Sequence, residues 1–210
     1  MGLVSKVDLS PRPVEAMSPR QLERRRSLIA AAVQLVSEIG VERVQMKLVS
    51  ERSGVALGTA YRYFSSKDHL LAAAVAEWWR QLLTDLAAET RPGRADAGAM
   101  EDRVVTFVHR GLRAFQRQPH MAHLLVSAAV STDPFASEAV ERMARVGQES
   151  LSAILPELPD PARSVVPHLI DSAWQGELIA WVTGRTTLAD AYRRLEDVIR
   201  LLLAPYLAVA

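Results

Sequence analysis

Apolar side chains recur at helical steps along almost the whole chain, and no stretch alternates as a strand would. Leu28, Ile29, Ala32, Val33, Leu35, Val36 and Ile39 share one face of a 3.6-residue repeat. Ser18, Pro19 and Gln21 form a capping start for that helix, and Gly40 stops it. The spacing then predicts short helices over residues 47–53, burying Leu48 and Val49, and over residues 57–64, with Ala60 and Phe64 inward. Gly54 supplies the turn between them, and Val55 plugs the gap. Ser66 caps a long helix over residues 67–89, about 35 Å at ~1.5 Å per residue. Its stripe is Leu71, Ala74, Val75, Trp78, Leu82 and Leu86, widened by Trp79 and Leu83.

A loop over residues 90–99 precedes four further helical patterns, over 100–118, 119–131, 134–155 and 161–183. Asp133-Pro134 and Asp160-Pro161 each pair a capping residue with a proline at the first helical position. Pro167 kinks the helix that holds it or marks its true start. A last helix begins near Thr187, with Leu188, Tyr192, Leu195, Ile199, Leu202 and Tyr206 on one stripe. Residues 1–17, with Pro11 and Pro13, read as a flexible arm. The expected fold is all-α, with about nine helices. A three-helix helix-turn-helix domain over residues 18–66 precedes a helical domain over 67–210, and the helix over 67–89 joins the two.

Composition narrows the function. The 210 residues include no cysteine, which excludes disulfides and cysteine-ligated metals and fits a reducing compartment. No stretch resembles an export signal, and the apolar runs fall short of the ~20 residues of a bilayer span. A cytoplasmic protein with no membrane contact and no cofactor is expected. The net charge of +1 hides an asymmetry, because residues 1–70 carry 11 Lys+Arg against 7 Asp+Glu, a net of +4. The remaining residues carry 14 Arg against 17 Asp+Glu. The positive field therefore gathers at the helix-turn-helix end. Arg20, Arg24, Arg25 and Arg26 crowd the start of the first helix, where cations oppose the helix dipole and a phosphate would relieve the cost.

The helix over 57–64 holds Gly58, Thr59, Tyr61, Arg62 and Tyr63, and Lys67 follows it. A small residue lets a helix approach a surface closely, while hydroxyls and cations bond phosphates and base edges. This is the chemistry of a helix laid in the DNA major groove. Arg62 can read guanine or clamp phosphate, Leu57 can touch a thymine methyl, and Gln45 and Lys47 can position the module on the opposite backbone. Tyr61 and Tyr63 can equally serve as packing residues.

The stretch GVALGTAYRYFSSK, residues 54–67, resembles the signature of TetR-family transcriptional regulators. The resemblance implies that Thr59, Tyr61, Tyr63 and Lys67 meet DNA. Ala60 stands where that family commonly has Leu, and Ser65 where Pro is common; both thin local packing without removing a DNA contact. A narrower similarity, through VALGTAYRYFSSKDHLL, LIDSAWQGELIAWVTGRTT and RRLEDVIRLLL, is to KstR-type repressors of steroid catabolism. It implies repression relieved by a steroid-like or acyl-coenzyme A effector. It also implies a homodimer through the last two helices, for which Trp181, Leu195, Ile199 and Leu202 are candidate contacts.

Trp78, Phe107, Met121, Leu124, Leu125, Phe135, Trp174 and Leu178 are large apolar residues on helices expected to pack together. With Asp171, Gln175 and Glu177 interleaved on one helix, they are candidates to line a small-molecule pocket or to form plain core. No nucleophile elbow, P-loop or dinucleotide fingerprint supports an enzyme, and no glutamate precedes a histidine by three positions. His120 and His123 are the only paired candidates for such chemistry. The other reading is a DNA-binding regulator with no small-molecule effector.

Overall fold

The computed structural model describes residues 13–89 and 99–207. Among these, nine α-helices account for the regular structure together with two 3-10 turns. They are α1 (Pro19–Ile39), α2 (Met46–Ser53), α3 (Leu57–Tyr63), α4 (Lys67–Glu89), α5 (Met100–Arg117), α6 (Pro119–Ala129), α7 (Pro134–Ala153), α8 (Ala162–Val182) and α9 (Leu188–Leu207). The greater part of the expected arm, residues 1–12, and of the expected loop, residues 90–98, lies outside the described residues. Residues 14–16 of the arm form a 3-10 turn, and Met17 is buried, so this part packs on the fold.

Local chemistry sets the helix ends. The Ser18 amide donates to Gln21 Oε1 at 2.7 Å at the start of α1, and Gly40 leaves the helix at φ +80°. Between α2 and α3, Gly54 takes the left-handed conformation at φ +69°, which a side chain resists. Val55 is buried beyond it, and Ser50 Oγ donates to the Val55 carbonyl at 2.6 Å. Leu28, Ala32, Val36, Val49, Ala60 and Phe64 close the core of this first unit. On α2 the inward residues are Met46 and Val49, while Leu48, expected inside, is only half-buried.

α4 is the spine of the molecule, packing against α1, α5, α6 and, most extensively, α7. Its buried face is rotated from the expected stripe. Trp79, Leu83 and Leu86 point into the core, whereas Trp78 and Leu82 lie half-buried at its margin. Trp79 stacks at 4.9 Å from Trp174 of α8 and 5.4 Å from Phe115 of α5, centring an aromatic cluster in the second domain. α8 starts at Ala162, with Pro161 rather than Asp160 at its cap position. Pro167 neither starts nor ends α8, which continues through it to Val182. No helix among the described residues is long and apolar enough to cross a membrane.

Candidate nucleic-acid interface and effector cavity

The two faces of α3 differ sharply. Ala60, Tyr63 and Phe64 turn into the core, while Leu57 is 38% and Tyr61 48% exposed. Gly58 and Arg62 are exposed as well, and Thr59 is half-buried beside them. A β-carbon added at Gly58 would meet nothing within 4 Å, so that point of the helix is open to close approach. Tyr63, expected on the DNA edge, is 5% exposed. It lies three residues after Ala60, one helical turn along the buried side, and its ring belongs to the core. Gln45 at the start of α2 and Lys47 in its first turn are exposed, and Lys67 is half-exposed at the start of α4. Arg62 and Lys67 make no ion pair among the described residues, and Lys47 makes a loose solvent-exposed one, 3.9 Å from Glu51.

An open groove of about 480 Å³ runs along this edge, lined by Arg20, Glu23, Arg24 and Ser27 of α1, by residues 53–56 and by Thr59. The arginine cluster of α1 therefore divides. Arg20 and Arg24 face the groove beside Thr59, while Arg26 lies 3.9 Å from Glu23. Arg25 turns away, its guanidinium 5.1 Å from the centre of the Phe64 ring. Successive residues rotate by ~100° around a helix, so four arginines close in sequence cannot share one face.

Where α3 hands over to α4, a polar joint connects this unit to α7. Ser66 Oγ accepts the His69 amide at 2.9 Å, capping α4, and donates its own hydrogen to Asp133. Asp133 in turn caps α7, accepting the Phe135 and Ala136 amides at 2.9 and 3.1 Å. Burial opposes the charge on Asp133, but the Ser66 hydroxyl and the Ala136 and Phe135 amides outweigh it and hold the carboxyl below its ordinary range. The His69 ring stacks 5.0 Å from Phe135, and its Nδ1 accepts the Ser65 amide at 3.3 Å. Burial lowers the His69 pKa to about 4, so the imidazole is neutral at physiological pH.

Between α4, α6, α7 and α8 lies a cavity of about 30 Å³. That is room for a water molecule or two, well under the roughly 300–1,000 Å³ of a ligand site. Leu125, Trp174 and Leu178 line it, together with Trp79 and Met143. Phe107 lines a smaller void beside it. The other candidates lie elsewhere. Trp78 packs edge-on against Phe115 at 4.9 Å, Met121 and Leu124 are sealed in the core, and Phe135 is the platform under His69. The polar floor of the cavity is Asp171, whose Oδ2 accepts Gln175 Nε2 at 2.8 Å. Burial pushes its carboxyl pKa up, against the hydrogen bonds from Gln148 and Gln175.

Comparison with known proteins places this geometry. Residues 28–74 match the family described as bacterial regulatory proteins, tetR family, and residues 97–202 match the tetracyclin repressor-like C-terminal domain. The chain is 33% identical over 187 residues to the HTH-type transcriptional repressor KstR of Rhodococcus jostii, spanning 89% of this chain and 85% of that one. The chain belongs to the TetR family. A TetR transcriptional regulator from Rhodococcus sp. RHA1 superposes with a TM-score of 0.70 at 28% identity, over 89% of this chain and 98% of the other. The transcriptional regulator FadR of Bacillus subtilis, solved in complex with stearoyl-CoA, shares the fold with a TM-score of 0.61 at 17% identity, over 84% and 96% of the two chains.

In this TetR-family chain, two of the candidate dimer contacts are committed to the protomer's own core. Leu195 and Ile199 are 1% and 0% exposed, because α9 turns that stripe onto α5 and α8. Trp181 and Leu202 are half-buried. The large apolar residues left outside on these two helices are Val165 and Leu169 on α8 and Leu201 and Leu207 on α9, with Leu201 76% exposed. The KstR relative is a transcriptional repressor. His120 Nδ1 lies 3.1 Å from the Ser37 carbonyl and His123 Nδ1 2.8 Å from that of Pro119, so the two do not converge.

Proposed function

We propose that this TetR-family regulator is a ligand-responsive repressor. Residues 18–66 read the operator, and residues 67–210 hold an apolar effector and the dimer contact. The observation that carries the reading is the exposed edge of α3. There Gly58, Thr59, Tyr61 and Arg62 lie together next to Arg20 and Arg24, with Lys67 at the head of α4. In the major groove, Thr59 and Arg62 face base edges, Tyr61 and Lys67 hold phosphate oxygens, and Gln45, Lys47 and Leu57 complete the contact. A homodimer would set two such edges on half-sites roughly 34–36 Å apart.

The effector is an apolar molecule such as a steroid or a lipid acyl-coenzyme A, entering between α4, α6, α7 and α8. At about 30 Å³ the cavity admits such a molecule only if α7 and α8 part from α4. α7 carries Asp133, the partner of Ser66, so parting these helices pulls on the first turn of α4 and shifts Lys67 and α3. A ligand works this way only if it prefers the DNA-incompetent arrangement, and operator DNA must then weaken its binding by the same factor. The narrowness of the cavity favours the other reading, a DNA-binding regulator with no effector. A thermal-shift panel of steroids and acyl-coenzyme A thioesters separates the two. A true effector at 100 times its dissociation constant adds ~2.7 kcal/mol of stability and releases operator DNA.

A further inference from the structure

A second crevice, of about 210 Å³, opens on the surface between α1, α4 and α7. Three arginines line it, one from each helix: Arg25, Arg80 and Arg142. The only acidic residue lining it is Glu77, whose oxygens are already occupied. Arg80 Nη2 donates to Oε1 at 2.7 Å and Nε to Oε2 at 3.0 Å, and Gln81 Nε2 adds a bond to Oε1 at 2.9 Å. Arg142 pairs with Glu138 one turn back on α7. Arg25 is half-buried, has no ion-pair partner among the described residues, and rests on the face of Phe64. Burial first, and then the charge of Arg142, push its pKa below the usual guanidinium value, and the attraction of Glu77 offsets this only in part. A desolvated cation held beside another cation is an arrangement that an anion relieves. Forked guanidinium groups bind carboxylate and phosphate oxygens in pairs.

The rest of the lining is apolar, and two of its side chains, Trp79 and Met143, also line the internal cavity. Crevice and cavity are thus neighbours across one layer of side chains. We propose that the crevice is an anion subsite. It takes the phosphate or carboxylate head of an amphiphile whose apolar body lies in the cavity behind Trp79 and Met143. This rests on the effector reading above and adds to it a charged anchor. Because Arg25 belongs to α1 of the DNA-reading unit and Arg142 to α7, the bound head clamps the reader directly to the effector domain. The apolar continuation is why an amphiphile suits the site better than a free inorganic anion, which keeps its hydration in water.

The test is calorimetric titration of the full chain with dodecanoyl-coenzyme A, dodecanoate, coenzyme A and the uncharged dodecanol. One of the two charged amphiphiles binds at least tenfold more tightly than dodecanol. The thioester leads, with coenzyme A competing, if the head is phosphate; dodecanoate leads if it is carboxylate. Arg142→Gln, at an exposed position, removes most of that advantage and leaves dodecanol binding unchanged. Glu138→Gln, which frees Arg142, increases it. Arg25→Lys keeps the charge but not the fork, and gives an intermediate loss. Equal affinities for dodecanol and both charged amphiphiles, or an advantage that survives Arg142→Gln, overturns the subsite while leaving an apolar effector in place. Failure of all four probes to bind removes the effector reading and the subsite together.

Discussion

Ser66 and Asp133 are 67 residues apart in sequence, and their hydrogen bond joins the cap of α4 to the cap of α7. Asp133→Ala therefore removes one helix cap and loosens a second. A lost cap of this kind costs ~1–2 kcal/mol, a fall of roughly 2–8 °C in melting temperature for a chain of this size. The two residues should also be coupled. Ser66→Ala costs less in the Asp133→Ala background than in the parent, by at least ~0.5 kcal/mol in urea unfolding. Additive losses would mean that the two caps act independently.

His69 gives the same joint a pH dependence. Burial, with the charges of Arg25 and Arg142 acting the same way against Asp133 and Glu138, holds its pKa at about 4, below the ordinary 6.5. Between these values the unfolded chain binds the proton and the folded chain does not. This contribution to stability is complete above pH 6.5 and is lost as pH falls towards 4, by no more than ~1.4 kcal/mol per pH unit. Melting temperature should fall less steeply over that window in His69→Gln than in the parent. Parallel curves would remove His69 as the cause.

Gly111 and Gly147 both face the aromatic cluster but predict opposite outcomes. A β-carbon at Gly111 would meet the Trp174 and Trp79 rings at 3.5 and 3.6 Å, ordinary contact distances. At Gly147 it would sit 3.1 Å from Asp171 Oδ1, and a buried carboxylate would have to move. Gly111→Ala should raise stability by ~0.5–1 kcal/mol through helix propensity, while Gly147→Ala gains nothing or loses. Thermal unfolding of the two variants checks the order.

How much of this was legible in sequence depended on the range of the interaction. The Gly54 turn, the Val55 plug and the Asp133 cap follow from rules spanning a few residues, and they appear where expected. The choice between Trp78 and Trp79 as the inward tryptophan did not, because adjacent apolar residues fit stripes only ~100° apart. The α9 stripe is a stripe, but periodicity says nothing of what covers it, so it does not distinguish a partner from the protomer's own core, where Leu195 and Ile199 lie. Charge in a sequence has no direction, so nothing there separates Arg25, which turns to Phe64, from Arg20 and Arg24, which face the groove. The Ser66–Asp133 bond left no local trace at all.

The outward residues of α8 and α9 make the homodimer testable. Leu201→Glu and Leu169→Glu place charges on exposed apolar positions and should shift a sedimenting dimer to monomer at micromolar concentration without lowering helix content. Leu195→Glu, by contrast, buries a charge and should impair folding. A parent chain that sediments as a monomer contradicts the dimer.

The account stands on the exposed edge of α3, and fluorescence anisotropy against a selected duplex over a range of salt concentrations tests it most directly. Lys67→Ala should weaken binding to all sequences alike and reduce the salt slope by about one. Arg62→Ala should cost ~1–3 kcal/mol on the preferred sequence and relax that preference. If the parent binds no duplex at low salt, or if both variants bind as the parent does, α3 is not the reading surface.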